Sequence, residues 1–220
     1  NFTVSNGSNG IYIRGSEEVT VTGSNLSMNS CNVLCTASAN VTVENSGIWN
    51  GTTSVRLSSS SPLFLNSSIG QASEAFNLTD GSCHPVLINS TFNRSRVRIM
   101  AGSDIAVKWF LSVIVTANGL PCQDAAVVIV GPSGATVHNM TTGADGILKD
   151  IILSEYLNTS AGLSDLSSYS VTVRKDGFSI YSQNITANPS QTVTADLTDI
   201  VAPPLAAPSL QPSAIGTSMN

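Results

Sequence analysis

Ile11-Tyr12-Ile13, Val33-Leu34-Cys35, Val55-Arg56-Leu57, Phe76-Asn77-Leu78 and Val97-Arg98-Ile99 each present two apolar residues two positions apart. Their first members are separated by 22, 22, 21 and 21 residues. A second series, Val19/Val21, Val41/Val43, Leu63/Leu65 and Val86/Ile88, keeps step with the first at intervals of 22, 22 and 23. Period-2 alternation marks short strands, and a repeat near 22 residues with no helical periodicity marks a solenoid. The spacing therefore predicts an all-β chain that opens with a right-handed parallel β-helix, each repeat carrying two short strands and making one coil.

The same alternation says which side chains point inward. In Asn40-Val41-Thr42-Val43-Glu44, Val41 and Val43 face the core while Asn40, Thr42 and Glu44 face out. Ile13, Cys35, Leu57, Leu78 and Ile99 are expected to stack as one ladder, with Ile11, Val33, Val55, Phe76 and Val97 beside it. Runs of Gly, Asn and Ser between the strands supply the tight corners. Residues 1 to 9, with Phe2 and Val4, read as the second strand of a coil whose first half is absent. Either the chain is a piece of a longer one, or another subunit supplies that coil, which makes Phe2 and Val4 candidate interface residues.

After Met100 the period fails. Ile105, Val107, Trp109, Leu111, Val113 and Val115 alternate strictly in one long strand, which is expected to close the solenoid with Trp109 as a plug over the last coil. From there to Leu197, short strands alternate with turn signals such as Asn118-Gly119, Gly131-Pro132-Ser133-Gly134 and Asp176-Gly177. That spacing predicts a small antiparallel Ig-like β-sandwich of about seven strands. The expected division is a β-helix of about five coils over 1–108, a sandwich over 109–200, and a Pro-rich linker or arm over 201–220.

The chain carries 14 acidic and 9 basic residues and no basic cluster of the kind nucleic acid requires. No run approaches the roughly 18 apolar residues of a membrane span. With 19 Asn and 54 Ser plus Thr in 220 residues, chance supplies about five Asn-x-Ser/Thr triplets; twelve are present. They start at Asn1, Asn6, Asn25, Asn40, Asn50, Asn66, Asn77, Asn89, Asn93, Asn139, Asn158 and Asn184. The excess points to an extracellular glycoprotein with covalent N-glycans, although a solenoid's corners are themselves rich in Asn, Ser and Thr.

Groups able to do chemistry are few and scattered. Glycoside hydrolysis needs two carboxyl groups facing one cleft. The coils offer only Glu17, Glu18, Glu44, Glu74, Asp80 and Asp104, at non-equivalent positions. His84 and His138 stand far apart, and no Cys/His spacing matches a zinc site, so no catalytic residue, cofactor or metal is assigned. Arg94, Arg96 and Arg98 cluster at the fifth coil, with Arg96 and Arg98 read onto one outward face. A strip of that kind suits an acidic glycan or a neighbouring subunit's carboxylates, but a solvated face is the plainer reading. Of the four cysteines, Cys35 falls on the inward ladder and Cys122 on an inward strand position, as buried thiols. Cys31 and Cys83 read as lying outside the ladder strands, with intermolecular pairing or a Cys83 to Cys122 bridge left open.

Val41-Thr42-Val43-Glu44-Asn45-Ser46-Gly47-Ile48 and Leu63-Phe64-Leu65-Asn66-Ser67-Ser68-Ile69 carry a resemblance to the parallel β-helix repeats of periplasmic copper-processing proteins, pectate lyases and many archaeal and bacterial surface proteins. That resemblance is specific for fold and poor for function. Val113 to Gly119, Pro121 to Ile129, Thr142-Gly143-Ala144-Asp145-Gly146 and Tyr169-Ser170-Val171-Thr172-Val173 with Asp176-Gly177-Phe178 resemble the carboxypeptidase-regulatory or transthyretin-like Ig fold. Cys122 stands where that family usually has Val, and Asp124 where it usually has Gly. Such modules are accessory units of surface proteins, and their motif residues do no chemistry.

The reading that joins these features is non-enzymatic. It is a structural glycoprotein subunit of an extracellular filament, sheath or surface layer of archaeal style, assembling with copies of itself or other surface-layer proteins through solenoid ends and strand addition. The alternative is an adhesin or glycan-binding surface module, disfavoured by an aromatic content of 5 %. A polysaccharide lyase or hydrolase ranks third.

Overall fold

A computed structural model describes residues 1–200; the Pro-rich segment 201–220 lies outside the described residues. All elements among the described residues are strands. The first coil holds β1 (Thr3–Ser5), β2 (Asn9–Arg14) and β3 (Thr20–Thr22), the second β4 (Asn25–Ser27), β5 (Cys31–Thr36) and β6 (Thr42–Glu44). The third holds β7 (Gly47–Trp49), β8 (Thr53–Ser58) and β9 (Leu63–Leu65), the fourth β10 (Ser68–Gly70), β11 (Glu74–Leu78) and β12 (Val86–Ile88). The fifth is β13 (Thr91–Phe92), β14 (Val97–Ile99) and the first half of β15 (Asp104–Ala117). Equivalent strands pair in parallel from coil to coil, so the solenoid is a prism with three sheets for walls.

Each coil thus carries three strands, not two. The third wall is built on Val4, Leu26, Ile48, Ile69 and Phe92, in register from coil to coil. Each contributes a single inward apolar residue, which leaves no alternation to detect. The N-terminal segment belongs to this wall, so Val4 is its first rung. The ladders through Ile11 and Ile13 stand as expected, from Val33 and Cys35 to Val97 and Ile99.

The second series needs a correction of one residue. Val21 and Val43 stack on Phe64, Leu87 and Val107, while Leu63, Leu65 and Val86 stand only half-buried. Such a slip reverses every side chain of a strand. The third and fourth coils accommodate it because Pro62 and Pro85 occupy the positions equivalent to Val41, buried at the strand entry, where their carbonyls still accept from Val86 and Ala106. Phe64 then meets Phe76 edge to face at 5.5 Å, and Phe76 meets Phe92 at 5.3 Å.

Two of the three corners repeat one device. A residue with positive φ, namely Gly23, Asn45, Asn66 or Asn89, is followed by a buried serine, respectively Ser24, Ser46, Ser67 or Ser90. Glycine and asparagine adopt that backbone conformation most readily. The backbone N–H of Ser24 donates to Ser46 Oγ at 3.1 Å, that of Ser46 to Ser67 Oγ at 3.2 Å, and that of Ser67 to Ser90 Oγ at 3.0 Å. Each hydroxyl in turn donates to the carbonyl two residues before it. A second ladder runs Ser16, Ser38, Ser60 at the next corner, where Cys83 takes the serine position of the fourth coil and Ser103 that of the fifth.

All four cysteines are buried and free. Cys31 lies inside β5, not outside the ladder strands. Burial pushes the thiols of Cys31, Cys35 and Cys83 up, that of Cys35 to about 12, which keeps them protonated and unreactive.

β15 leaves the solenoid without a break. Ile105, Val107 and Trp109 sit in the first core, and Leu111, Val113 and Val115, on the same face of the same strand, sit in a second. The second core lies between two layers. One is the second half of β15 with β16 (Leu120–Pro121), β19 (Ile147–Thr159) and β23 (Gln191–Leu197). The other joins β17 (Ala126–Val130), β18 (Thr136–Thr141), β21 (Ser168–Arg174) and β22 (Tyr181–Thr186) in the order β18-β17-β21-β22; β20 (Gly162–Asp165) extends the first layer beyond β19.

Ser46→Ala leaves the buried Ser24 N–H without its acceptor, which costs about 1–3 kcal/mol. Urea unfolding should show that loss, with a melting point lower by about 2–4 °C per kcal/mol, whereas Ser133→Ala in an exposed turn should stay within about 0.5 kcal/mol of the parent.

Candidate functional site

The three arginines of the fifth coil do three different things. Arg98 projects outward from β14. Arg96 precedes that strand, and its guanidinium folds back to donate to the carbonyl of Ala72, so Arg96 and Arg98 do not share an outward face. Arg94 turns toward the second unit, where Nη1 and Nη2 each lie 2.8 Å from one oxygen of Glu155. Trp109 Nε1 donates to the same carboxylate at 2.7 Å. Trp109 therefore does cap the solenoid core, and its indole N–H is part of the joint.

The backbone explains how Glu155 arrives there. Val107 pairs with Tyr156 and Lys108 with Ser154, so Glu155 is the extra residue of a β-bulge in β19. A bulge changes the parity of a strand. Ile151 and Leu153 face the second core, yet Tyr156, three residues on, faces the first. Glu155 is turned inward with only 6 % of its side chain exposed, against 45 % for Arg94. A carboxylate this buried is retained only with partners in good geometry. Arg94 also lies 4.9 Å from the centre of the Tyr156 ring, whose phenol burial pushes up to about 12. A further tie runs from Phe110 N–H to Ser190 Oγ and from Ser190 to Asn89 Oδ1 at the solenoid corner.

Arg98 has a different neighbour. On the outward side of the second wall, Tyr12, Leu34, Arg56, Asn77 and Arg98 align from coil to coil. Arg56 and Arg98 line a shallow hollow of about 270 Å³ with Asn77, Thr79 and Met100. Two strand spacings place their Cα atoms about 9.6 Å apart. Glu74 of β11 accepts from Asn77 and Thr53. The strip can attract an anion.

At the corner after β11, Asp80 accepts from Ser58, Ser59, Ser82 and the Cys83 thiol. Desolvation opposes its ionisation, but these hydrogen bonds win and hold the carboxyl well below the usual range. His84 Nδ1 lies 2.8 Å from Asp104 Oδ2 in an exposed pair. His138 Nε2 lies 3.2 Å from the Ile152 carbonyl on the far unit. Among the described residues no group of three or more His, Cys, Asp or Glu side chains converges as metal ligands would.

Of the twelve glycan acceptors, Asn1, Asn6, Asn25, Asn40, Asn50, Asn66, Asn93, Asn139 and Asn184 are exposed, and Asn158 is half-buried. Asn89 is half-buried, its amide donating to Asn66 Oδ1 at 2.8 Å. Asn77 is 8 % exposed, with its amide nitrogen 2.8 Å from Glu74. Phe2 is exposed, and Val4 packs against the solenoid core. Sequence reasoning missed Glu155 and Tyr156, and weighed Asp80 only as one of the scattered acids of the coils. Only the break in the period-2 pattern of β19 between Leu153 and Tyr156 could have signalled the first two.

The family described as right handed beta helix region matches residues 1–141. No curated protein matches in sequence. Solved structures resemble the chain only remotely. A 3-chlorocatechol 1,2-dioxygenase from Rhodococcus opacus gives a TM-score of 0.32 at 9 % identity, over 42 % of this chain and 60 % of that one. The minor pilin from Streptococcus agalactiae gives 0.32 at 10 %, over 48 % and 52 %. The Bacillus anthracis TIE protein gives 0.30 at 12 %, over 44 % and 18 %. The chain spans less than two thirds of each of these structures, and likenesses of this size carry no argument about function.

Arg94→Met should cost about 2–4 kcal/mol, less than a fully buried pair because Arg94 is half in water. Adding Glu155→Gln should recover part of that loss in the same urea titration. For Asp80, the folded carboxyl has a lower pKa than the unfolded value of about 3.9. Its contribution is therefore complete above that value and lost as pH falls. The stability advantage of the parent over Asp80→Asn should shrink between about pH 5 and pH 2.

Proposed function

The chain belongs to the right-handed β-helix family, and we propose that it is a structural glycoprotein subunit of an extracellular filament, sheath or surface layer. The observation that carries this reading is the distribution of the sequons: nine of the twelve acceptor asparagines are exposed, seven on the solenoid and two on the second unit. Both units thus present sites for a glycan coat while the two cores stay closed. Among the described residues β1, β2 and β3 each pair on one side only. A further coil, from the same chain or from another copy, would continue all three walls by strand addition.

In this proposal the second unit is an accessory module of the carboxypeptidase-regulatory or transthyretin-like Ig type, and the chain is not an enzyme. Both oxygens of Glu155, the one deeply buried carboxylate among the described residues, are already engaged by Arg94 and Trp109. An adhesin is the second reading, and the Arg56–Arg98 hollow is the observation that favours it.

The test is the mass distribution of native extracellular material by multi-angle light scattering, with negative-stain images and glycopeptide mapping of the same fractions. Ordered assemblies of copies or of surface-layer partners, with glycans on several exposed acceptors and none on Asn77, are expected. Unglycosylated, strictly monomeric material would overturn the proposal.

A further inference from the structure

Beside the joint of the two units lies a hollow of about 270 Å³ whose walls include Arg94, Tyr156, Leu163, Asp165, Ser167 and Asn188. A neighbouring hollow of about 230 Å³ shares Arg94 and Asn188 and adds the apolar surfaces of Phe92, Trp109 and Pro189. We propose that this cleft binds one neutral, hydroxyl-rich ring, a hexose residue of a polysaccharide or glycan.

Charge argues for a neutral ligand. The guanidinium of Arg94 is already neutralised by Glu155, so the cleft does not attract anions as the Arg56–Arg98 strip does. The uncommitted charge is that of Asp165, a fully exposed carboxylate that hydrogen bonds from Ser167 hold below the usual range. An ionised carboxylate beside a carboxamide is an acceptor pair suited to vicinal hydroxyls. A divalent cation is a poor fit, since calcium requires about 6–8 oxygen ligands and only one wall carboxylate is free of a cation.

Size and polarity point the same way. Each hollow is smaller than the roughly 300–1,000 Å³ that drug-sized ligands need, which limits the occupant to a single ring per hollow. Leu163 stands 57 % exposed at the rim, an apolar surface for the C–H face of a sugar.

The site is separate from the assembly proposed above, and its failure would leave that reading standing. Saturation-transfer NMR on the purified chain, with glucose, galactose, mannose and N-acetylglucosamine as probes and glucuronate as the anionic counterpart, tests it. Transfer to at least one neutral sugar is expected, with Kd on the order of 1 mM and weaker binding of glucuronate. Asp165→Ala and Asn188→Ala, both at exposed positions, should each weaken that binding about tenfold without changing the melting temperature. Arg98→Ala should not alter it. No transfer to any neutral sugar at about 20 mM, preference for glucuronate, or affinity unchanged in both variants would overturn the proposal.

Discussion

Every coil of this solenoid must turn three corners without leaving buried backbone groups unpaired, and at two of them stacks of serine hydroxyls meet that demand. At these corners, that of Cys83 excepted, a residue in the left-handed region aims the next amide along the stack, out of the plane of its own coil. Ser46 Oγ then accepts the N–H of Ser24 one coil away and donates within its own coil to Glu44. The hydroxyls of Ser38, Ser46, Ser60, Ser67 and Ser90 are each used as both donor and acceptor in a buried place, where an unpaired group would be costly. The composition follows from this constraint. Asn and Ser recur side by side because the corner asks for one residue that tolerates positive φ and another that can bridge two coils.

The same constraint bears on the sequons. Asn66-Ser67-Ser68 and Asn89-Ser90-Thr91 are corner motifs first and glycan acceptors second, and the Asn89 amide is already bound to Asn66. Part of the excess of sequons is therefore a by-product of coil stacking. The exposed acceptors outside the serine corners, such as Asn25, Asn139 and Asn184, have no such explanation, and they are the stronger support for an extracellular glycoprotein.

Much of the solenoid was legible because its inward residues come in pairs two apart: the ladders through Ile11 and Ile13 follow directly from the spacing. The third wall was hidden because Leu26, Ile48 and Ile69 are each the single inward apolar residue of their strand, with no inward apolar partner two positions away to mark a period. The slip at Phe64 was hidden for the opposite reason. Leu63-Phe64-Leu65 is apolar throughout, and only the stacking of Pro62 under Val41 decides which residue enters the core. Arg94, Arg96 and Arg98 were adjacent in sequence but are separated by a turn and by distinct partners, so their clustering carried no information about a shared face. Glu155 left only a break in the period-2 pattern of β19, and that break does not reveal a bulge by itself, because a bulge is decided by pairing between distant strands, here β15 and β19. One face of β15 serving two cores, with the Arg94–Glu155–Trp109 contact across the change-over, makes the passage from solenoid to second unit a continuous sheet instead of a linker.

Amide hydrogen exchange under native conditions tests the stacking account most directly, because it reads each ladder N–H separately. The amides of Ser24, Ser46 and Ser67 should exchange as slowly as those of the wall strands, for example Val33 and Val55, and open only with the whole solenoid. If they exchange as fast as the amides of exposed turns such as Ser133 and Gly134, the hydroxyl ladders do not hold the coils together and the account fails.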